Sequence, residues 1–219
     1  IELFDQKTNY FKFLSDKIEV KLEDFKFIFL RQDPPFDMHY ITSTYILDCL
    51  PKNSVVVNNP TSVRNAAEKI LPFKFKEFMP PTIVAQRVDE IKSFFMTHKD
   101  IITKPLYGNG GAGVFRLRPE DSNLNSLHEL FIKSNNEPLI VQQFLPEVAK
   151  GDKRIILIDG EPVGAINRVP LKGETRSNMH VGGKPEKASL NVRDLEICNL
   201  IGEDLKKHGQ VFVGIDVIG

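Results

Sequence analysis

A glycine-rich stretch set between two strand-like runs constrains this chain more than any other feature. Residues 101–118 read Ile-Ile-Thr-Lys-Pro-Leu-Tyr-Gly-Asn-Gly-Gly-Ala-Gly-Val-Phe-Arg-Leu-Arg. An apolar run ends in Lys104 and Pro105, then Gly108, Gly110, Gly111 and Gly113 follow. The chain resumes with an alternation from Phe115 onward that suits a half-buried strand. Glycines let backbone N–H groups approach an anion closely, because no Cβ stands in the way. The letters fit G-x-G-x-x-G, but a dinucleotide or Walker loop opens into a helix, and this one opens into a strand that stops at Pro119. Kinase glycine loops do lie between strands, yet their lysine follows the loop and H-R-D and D-F-G come later. Here Lys104 precedes the loop and neither motif occurs. Two readings remain: a lysine at a strand end with a glycine hairpin folding over phosphates, or a mobile turn without a ligand. Four glycines exceed what a turn requires.

At 219 residues, with 41% hydrophobic residues, the chain can build one large or two modest domains around a real core. Lys plus Arg equals Asp plus Glu at 29 each, so no net field favours nucleic acid or an anionic membrane. Local basic runs such as Lys206-Lys207 read as solvated helix ends. Cys49 and Cys198 lie in helix-like apolar patterns without metal-ligand spacing, which fits a reducing compartment; cytoplasmic is the expected location. No apolar run approaches membrane-spanning length and no signal peptide is visible. The chain starts with Ile1 and ends at Gly219 directly after a strand, and so reads as an excerpt of something longer.

Residues 1–60 suggest an α/β piece. A strand candidate over 25–30, a helix from Tyr40 to Leu50 and a strand at 55–57 imply a right-handed parallel crossover. Arg31-Gln32-Asp33-Pro34-Pro35-Phe36-Asp37 follows the first strand; its place suits a ligand loop or a rigid connector. Thr61 or Ser62 can cap a helix running through Arg64, Lys69 and Ile70 to Pro72. A strand at 82–84, a helix from Gln86 to Lys99, the glycine hairpin, a helix carrying Leu124, Leu127 and Phe131, and a strand at 139–145 make helices on an antiparallel sheet over 66–145. Beyond it come a strand from Lys153 to Ile158, the turn Asp159-Gly160 and a returning strand from Val163 to Ile166. From Arg168 to Lys187 large apolar residues are few, and a loop of that length is usually a functional lid or disordered. A helix from Val192 to His208, with Gly209 as its C′ residue, and a strand from Val211 to Ile218 complete the chain. Asp216 stands inside that apolar strand, where a carboxylate needs a cation, so Mg²⁺ or an arginine is expected beside it.

Taken in order, Arg31 to Asp37, Lys104 to Gly111, Gly151-Asp152-Lys153-Arg154, Gly173-Glu174-Thr175-Arg176 and Phe212 to Asp216 resemble the bacterial glutathione synthetase family of ATP-grasp ligases. The resemblance implies an α/β (α+β) chain with an ATP-grasp fold behind a partial N-terminal α/β domain. Its implied divisions are 1–65, a central subdomain over 66–145 and an incomplete C-terminal subdomain over 146–219. It implies ATP-dependent joining of γ-glutamylcysteine to glycine through an acyl phosphate, with Mg²⁺, or Mn²⁺ in its place. By position Lys69, Lys104, Gly108, Gly110 and Gly111 match phosphate ligands; Gln142, Gln143, Phe144 and Leu145 match the adenine hinge, and Asp152 the ribose site. Arg154 and Arg168 match residues that hold the acyl phosphate; Arg176 matches the lid 169–186, and Asp216 a metal ligand. The family's further metal ligands, a glutamate and an asparagine after the position of Gly219, and its first strand and helix do not occur here, and Tyr107 replaces an acidic residue. Neither nucleic acid nor membrane is implied as a partner, and self-association is left open. The alternatives are a glutamate-adding or D-alanine-joining ATP-grasp ligase, or a non-catalytic nucleotide-binding module.

Overall fold

The computed structural model describes residues 1–5, 9–121, 123, 125–126, 129, 137–171, 173–174, 176–179 and 182–219. The helix expected around Leu124, Leu127 and Phe131 lies outside the described residues in those three positions. A short hairpin, β1 (Glu2–Leu3) and β2 (Phe11–Lys12), opens the chain. β3 (Phe27–Phe29) and β4 (Val55–Val57) then pair in parallel around α1 (Met38–Asp48), as the strand–helix–strand order predicts. Asp37 caps α1 by accepting the Tyr40 N–H at 3.0 Å, so one residue of the proline loop has a structural task.

The expected helix through Lys69 is corrected. α2 covers only Pro60–Asn65, and its cap is Asn59, whose side chain accepts from the Ser62 N–H. Proline suits the first helical position because its missing N–H has no intrahelical partner there. Ala66 leaves helical geometry (φ −103°, ψ 61°), and a 3₁₀ segment, Leu71–Phe78, follows. Lys69 therefore sits on the irregular link between them.

Two four-stranded antiparallel sheets form the body of the molecule. In the first, β5 (Thr82–Ala85), β8 (Leu139–Gln143), β6 (Ile101–Pro105) and β7 (Phe115–Leu117) lie side by side in that order. α3 (Val88–His98) covers one face, where Ala85, Ile91, Ile101, Leu117, Leu139 and Val141 make a buried cluster with Val88 and Phe95 against it. Strand alternation sends Ile102, Lys104, Arg116 and Gln142 to the opposite face.

In the second sheet the order is β11 (Lys184–Lys187), β10 (Glu161–Val169), β9 (Asp152–Ile158) and β12 (Phe212–Val217). α4 (Val192–Lys207) closes its core, burying Cys198 and Leu205 against Ile155 and Leu157. Cys198 is fully buried and acts as a small apolar residue. The helix starts on a capping box that the sequence reading missed: Asn191 accepts from the Asp194 N–H, and Asp194 accepts from the Asn191 N–H. Asp194 also takes the ammonium of Lys153. The expected lid is corrected as well. β10 runs to Val169 and pairs with β11, so Val169 and Lys184 to Glu186 of the expected loop 169–186 are strand, in a two-stranded arm. Among the described residues no helix is long and apolar enough to cross a membrane.

Candidate active site

The uncovered faces of the two sheets carry the charged residues. On the second sheet, Val213, Ile215 and Val217 pack on the core, so Phe212, Gly214 and Asp216 project to the other side. Asp216 pairs across the ladder with Arg154, and Asp152 with Arg168. The result is a four-member charge ladder. The Arg154 guanidinium grips both Asp216 oxygens, with Nη2 at 2.8 Å from Oδ2. Arg168 donates to Asp152 at 2.8 and 2.5 Å and reaches Asp216 Oδ2 at 2.9 Å. Arg168 and Asp152 are buried, whereas the Asp216 side chain is 40% exposed. The expectation of a buried Asp216 is thereby corrected: the strand is apolar on one face only, and its carboxylate is on the other. Of the two partners the sequence left open, the structure supplies arginine. Among the described residues no three His, Cys, Asp or Glu side chains converge as a metal cage.

Lys104 occupies the open face of β6. Its ammonium is lowered from the ordinary 10.5 to about 8, chiefly by burial and next by the Lys69 charge, with Glu68 and Asp216 acting the other way. Lys104 thus feels the charges of both Lys69 and Asp216 of the other sheet's ladder. Lys69 is itself lowered by burial, and its ammonium donates to the Gly108 carbonyl at the root of the glycine loop. Gly110, Gly111 and Gly113 all have positive φ, at 59°, 82° and 67°, which side-chain-bearing residues rarely adopt. Among the described residues the amides of these three glycines find no protein acceptor. A row of unspent N–H groups beside two lysines is an anion cradle.

The arm of the second sheet touches this cradle. Arg176 Nη1 donates to the Gly111 carbonyl at 3.1 Å, while Glu174 holds the same guanidinium through Nε (3.0 Å) and Nη2 (2.6 Å). At the other end of the first sheet, the Gln142 side chain donates to Thr82 Oγ1 at 3.0 Å, Gln143 N–H bonds the Pro81 carbonyl, and Phe144 N–H bonds the Asp100 carbonyl. The next amide, that of Leu145, meets no acceptor among the described residues. The structure thus brings Lys69, Lys104, the glycine loop and Arg176 together, and Arg154, Arg168, Asp152 and Asp216 together. Gln142 to Leu145 lie at the far end of β6 from the glycine loop.

Two antiparallel sheets, each with a helix on one face and charged residues on the other, make up the ATP-grasp fold, the class to which residues 68–219 belong. A D-cycloserine synthetase, DcsG, has this fold at a TM-score of 0.67 and 15% identity, over 90% of this chain and 72% of that one. The ATP-grasp ligase PsnB, solved with a minimal precursor, Mg and ADP, matches at 0.56 and 18% identity, over 76% of this chain and half of its own. Residues 68–219 match the prokaryotic glutathione synthetase ATP-grasp domain, and residues 1–64 match the N-terminal domain of the same enzymes. The chain belongs to the prokaryotic glutathione synthetase family. A glutathione synthetase of Agrobacterium fabrum is 53% identical over the whole chain, which spans 68% of that relative's length. One from Synechocystis is 43% identical over 94% of this chain and 65% of its own.

Proposed function

We propose that the chain forms the catalytic face of a glutathione synthase, which uses ATP to join γ-glutamylcysteine to glycine. The observation that carries this reading is the meeting of Lys69, Lys104 and three unspent glycine amides with the Arg154–Asp216–Arg168 ladder. ATP is a substrate here. Its adenine lies against Gln142, Gln143, Phe144 and Leu145, with the Leu145 N–H as a donor to the base; its phosphates lie under Gly108, Gly110 and Gly111. Asp152 is the ribose candidate, and a hydroxyl there would share a carboxylate already engaged by Arg168. The N-terminal unit (1–65) and the two grasp subdomains (66–145 and 146–219) divide the dipeptide and nucleotide tasks between them.

The chemistry is two displacements. A cysteinyl carboxylate oxygen attacks the γ-phosphorus, and ADP departs with the electron pair of the broken P–O bond. Lys69, Lys104 and the loop amides balance charge on the transferring phosphoryl group, where positioning and electrostatics do most of the catalysis. Glycine's amine then attacks the acyl carbon, the oxyanion faces Arg154 and Arg168, and phosphate leaves as the amine gives up a proton. Arg176, carried by the arm, keeps water from the acyl phosphate. Mg²⁺, or Mn²⁺, would be held with the help of Asp216 and would supply charge neutralisation for the transferring phosphoryl group. Asp216 is the candidate carboxylate among the described residues, and to hold the ion it would have to be released in part from the Arg154 fork. A coupled phosphate-release assay on the full-length protein tests the reading. Phosphate release that requires both γ-glutamylcysteine and glycine is expected; release driven by glutamate or D-alanine acceptors, or none at all, overturns it.

A further inference from the structure

Beyond the residues assigned so far, one charged pair on the nucleotide face has no role in the reaction. Arg116 shares the open face of the first sheet with Lys104 and Gln142, directly opposite Ile102. Its guanidinium forks onto Asp100, with Nε to Oδ1 at 2.8 Å and Nη2 to Oδ2 at 2.6 Å. The guanidinium carbon also lies 3.5 Å from the centre of the Phe144 ring. Asp100 then takes the Phe144 N–H on its backbone carbonyl at 3.0 Å. Phe144 is therefore held twice from one residue, by its peptide directly and by its ring through Arg116.

The arginine–aspartate fork is partly solvated, with side chains 23% and 35% exposed, and contributes on the order of 1 kcal/mol to stability, so stability alone is a weak reason for this arrangement. What it does fix is geometry. The peptide unit after Phe144 is planar, and its N–H is that of Leu145, the hinge amide without an acceptor. We propose that Asp100 and Arg116 are positioning residues for nucleotide recognition: by locking Phe144 at backbone and ring, they aim the Leu145 N–H at the edge of the ATP base. The inference rests on the assignment of residues 142–145 as the adenine hinge. Arg116 touches neither phosphate nor acyl group in this scheme, so its effect falls on nucleotide affinity and base choice.

The test compares Asp100→Asn, Arg116→Met and Arg116→Lys with the parent in the full-length protein, using ADP calorimetry and steady-state kinetics with ATP and GTP. Asp100→Asn and Arg116→Met each raise the ADP Kd by about five- to tenfold, the worth of one hydrogen bond, and lower the ATP/GTP ratio of kcat/KM by a similar factor. The double variant is no worse than either single one, because one linkage is broken once. Arg116→Lys, which keeps a cation over the ring without the fork, falls between parent and methionine variant. KM values for the dipeptide and for glycine stay within about twofold, since the hinge contacts neither. Unchanged ADP affinity and base preference in the variants overturn the proposal, as does an equal loss toward all three substrates. A parent protein that binds no ADP overturns the hinge assignment itself.

Discussion

Lys104 shows what one buried ammonium does to both affinity and stability. Its titration near pH 8 in the free protein comes mainly from burial, with Lys69 adding repulsion. Bound phosphates favour the charged form, so ATP affinity is expected to fall as pH rises through about 8. The stability effect runs the other way. Unfolded, the group titrates near 10.5; between 8 and 10.5 the unfolded chain therefore holds more protons, and the free protein gains stability with rising pH. Lys104→Met should accordingly raise the melting temperature without nucleotide and abolish the pH dependence of ATP binding. Calorimetry at pH 7 and 9.5 checks this, and a flat affinity in the parent would remove Lys104 from the phosphate site. The arginines separate by burial in the same way. Arg168→Met leaves Asp152, only 7% exposed, without its fork and should cost about 3–5 kcal/mol. Arg154→Met faces a partner 40% exposed and should cost under about 1 kcal/mol, although both changes end turnover. Urea melts distinguish the two, and equal losses contradict the ladder. The order of residues pointed to an arginine or metal beside Asp216; which one, and on which face, depended on strand register that one-dimensional patterning does not contain.

At the scale of elements, the tip of the β9–β10 hairpin meets α4 at a pair of glycines. A Cβ on Gly202 would lie 2.2 Å from the Gly160 carbonyl oxygen, and Gly160 itself has φ 83°. Glycine to alanine inside a helix ordinarily stabilises by about 1 kcal/mol. Gly202→Ala should invert that sign and cost about 2 kcal/mol or more, because backbone atoms must separate. A Gly202→Ala protein with an unchanged or raised denaturation midpoint would disprove the close approach. The Asp159-Gly160 turn was legible because both residues take positive φ, which the sequence signals directly. α3 and α4 were legible from apolar spacing and terminal residues. α2 was not: Pro60 at the first helical position hid Asn59 as the cap, and the chain beyond Asn65 bends so that Leu71 can join the core of the second sheet. Tertiary packing overrode local helical preference there, and the bend is what carries Lys69 to the glycine loop. The β10–β11 pairing was also illegible, since Lys184–Lys187 has no large apolar residue and is exposed along its length. It is a strand by virtue of its neighbour.

At the scale of the whole molecule, the hydrogen bonds that fasten the N-terminal α/β unit to the second sheet among the described residues gather around Asn58, and that joint governs which substrate feels its loss. The Asn58 amide donates to the Phe212 carbonyl at 2.9 Å and accepts the Phe212 N–H at 2.7 Å, extending the edge of β12 by one side chain. Beside it the Asn59 N–H bonds the Gly209 carbonyl, Ser62 donates to the His208 carbonyl, and the Arg31 guanidinium carbon lies 4.7 Å above the centre of the Phe212 ring. The proposed nucleotide site is built from Lys69 and the open faces of the two sheets, whereas Asn58 meets the second sheet at Phe212, on the outer edge of β12. Asn58→Ala should therefore cost about 1–3 kcal/mol through the unsatisfied Phe212 groups. It should also raise the dipeptide KM, because the unit that carries Arg31 to Asp37 is no longer held over β12. ADP affinity should stay near that of the parent. Asn58→Asp should be worse than Asn58→Ala, since it sets a carboxylate against the Phe212 carbonyl without supplying a donor. Calorimetry with ADP, kinetics with the dipeptide and limited proteolysis across residues 51–54 give the three readouts. If the ADP Kd rises as far as the dipeptide KM, the joint supports the nucleotide site as well, and the division of labour between the N-terminal unit and the two sheets is wrong.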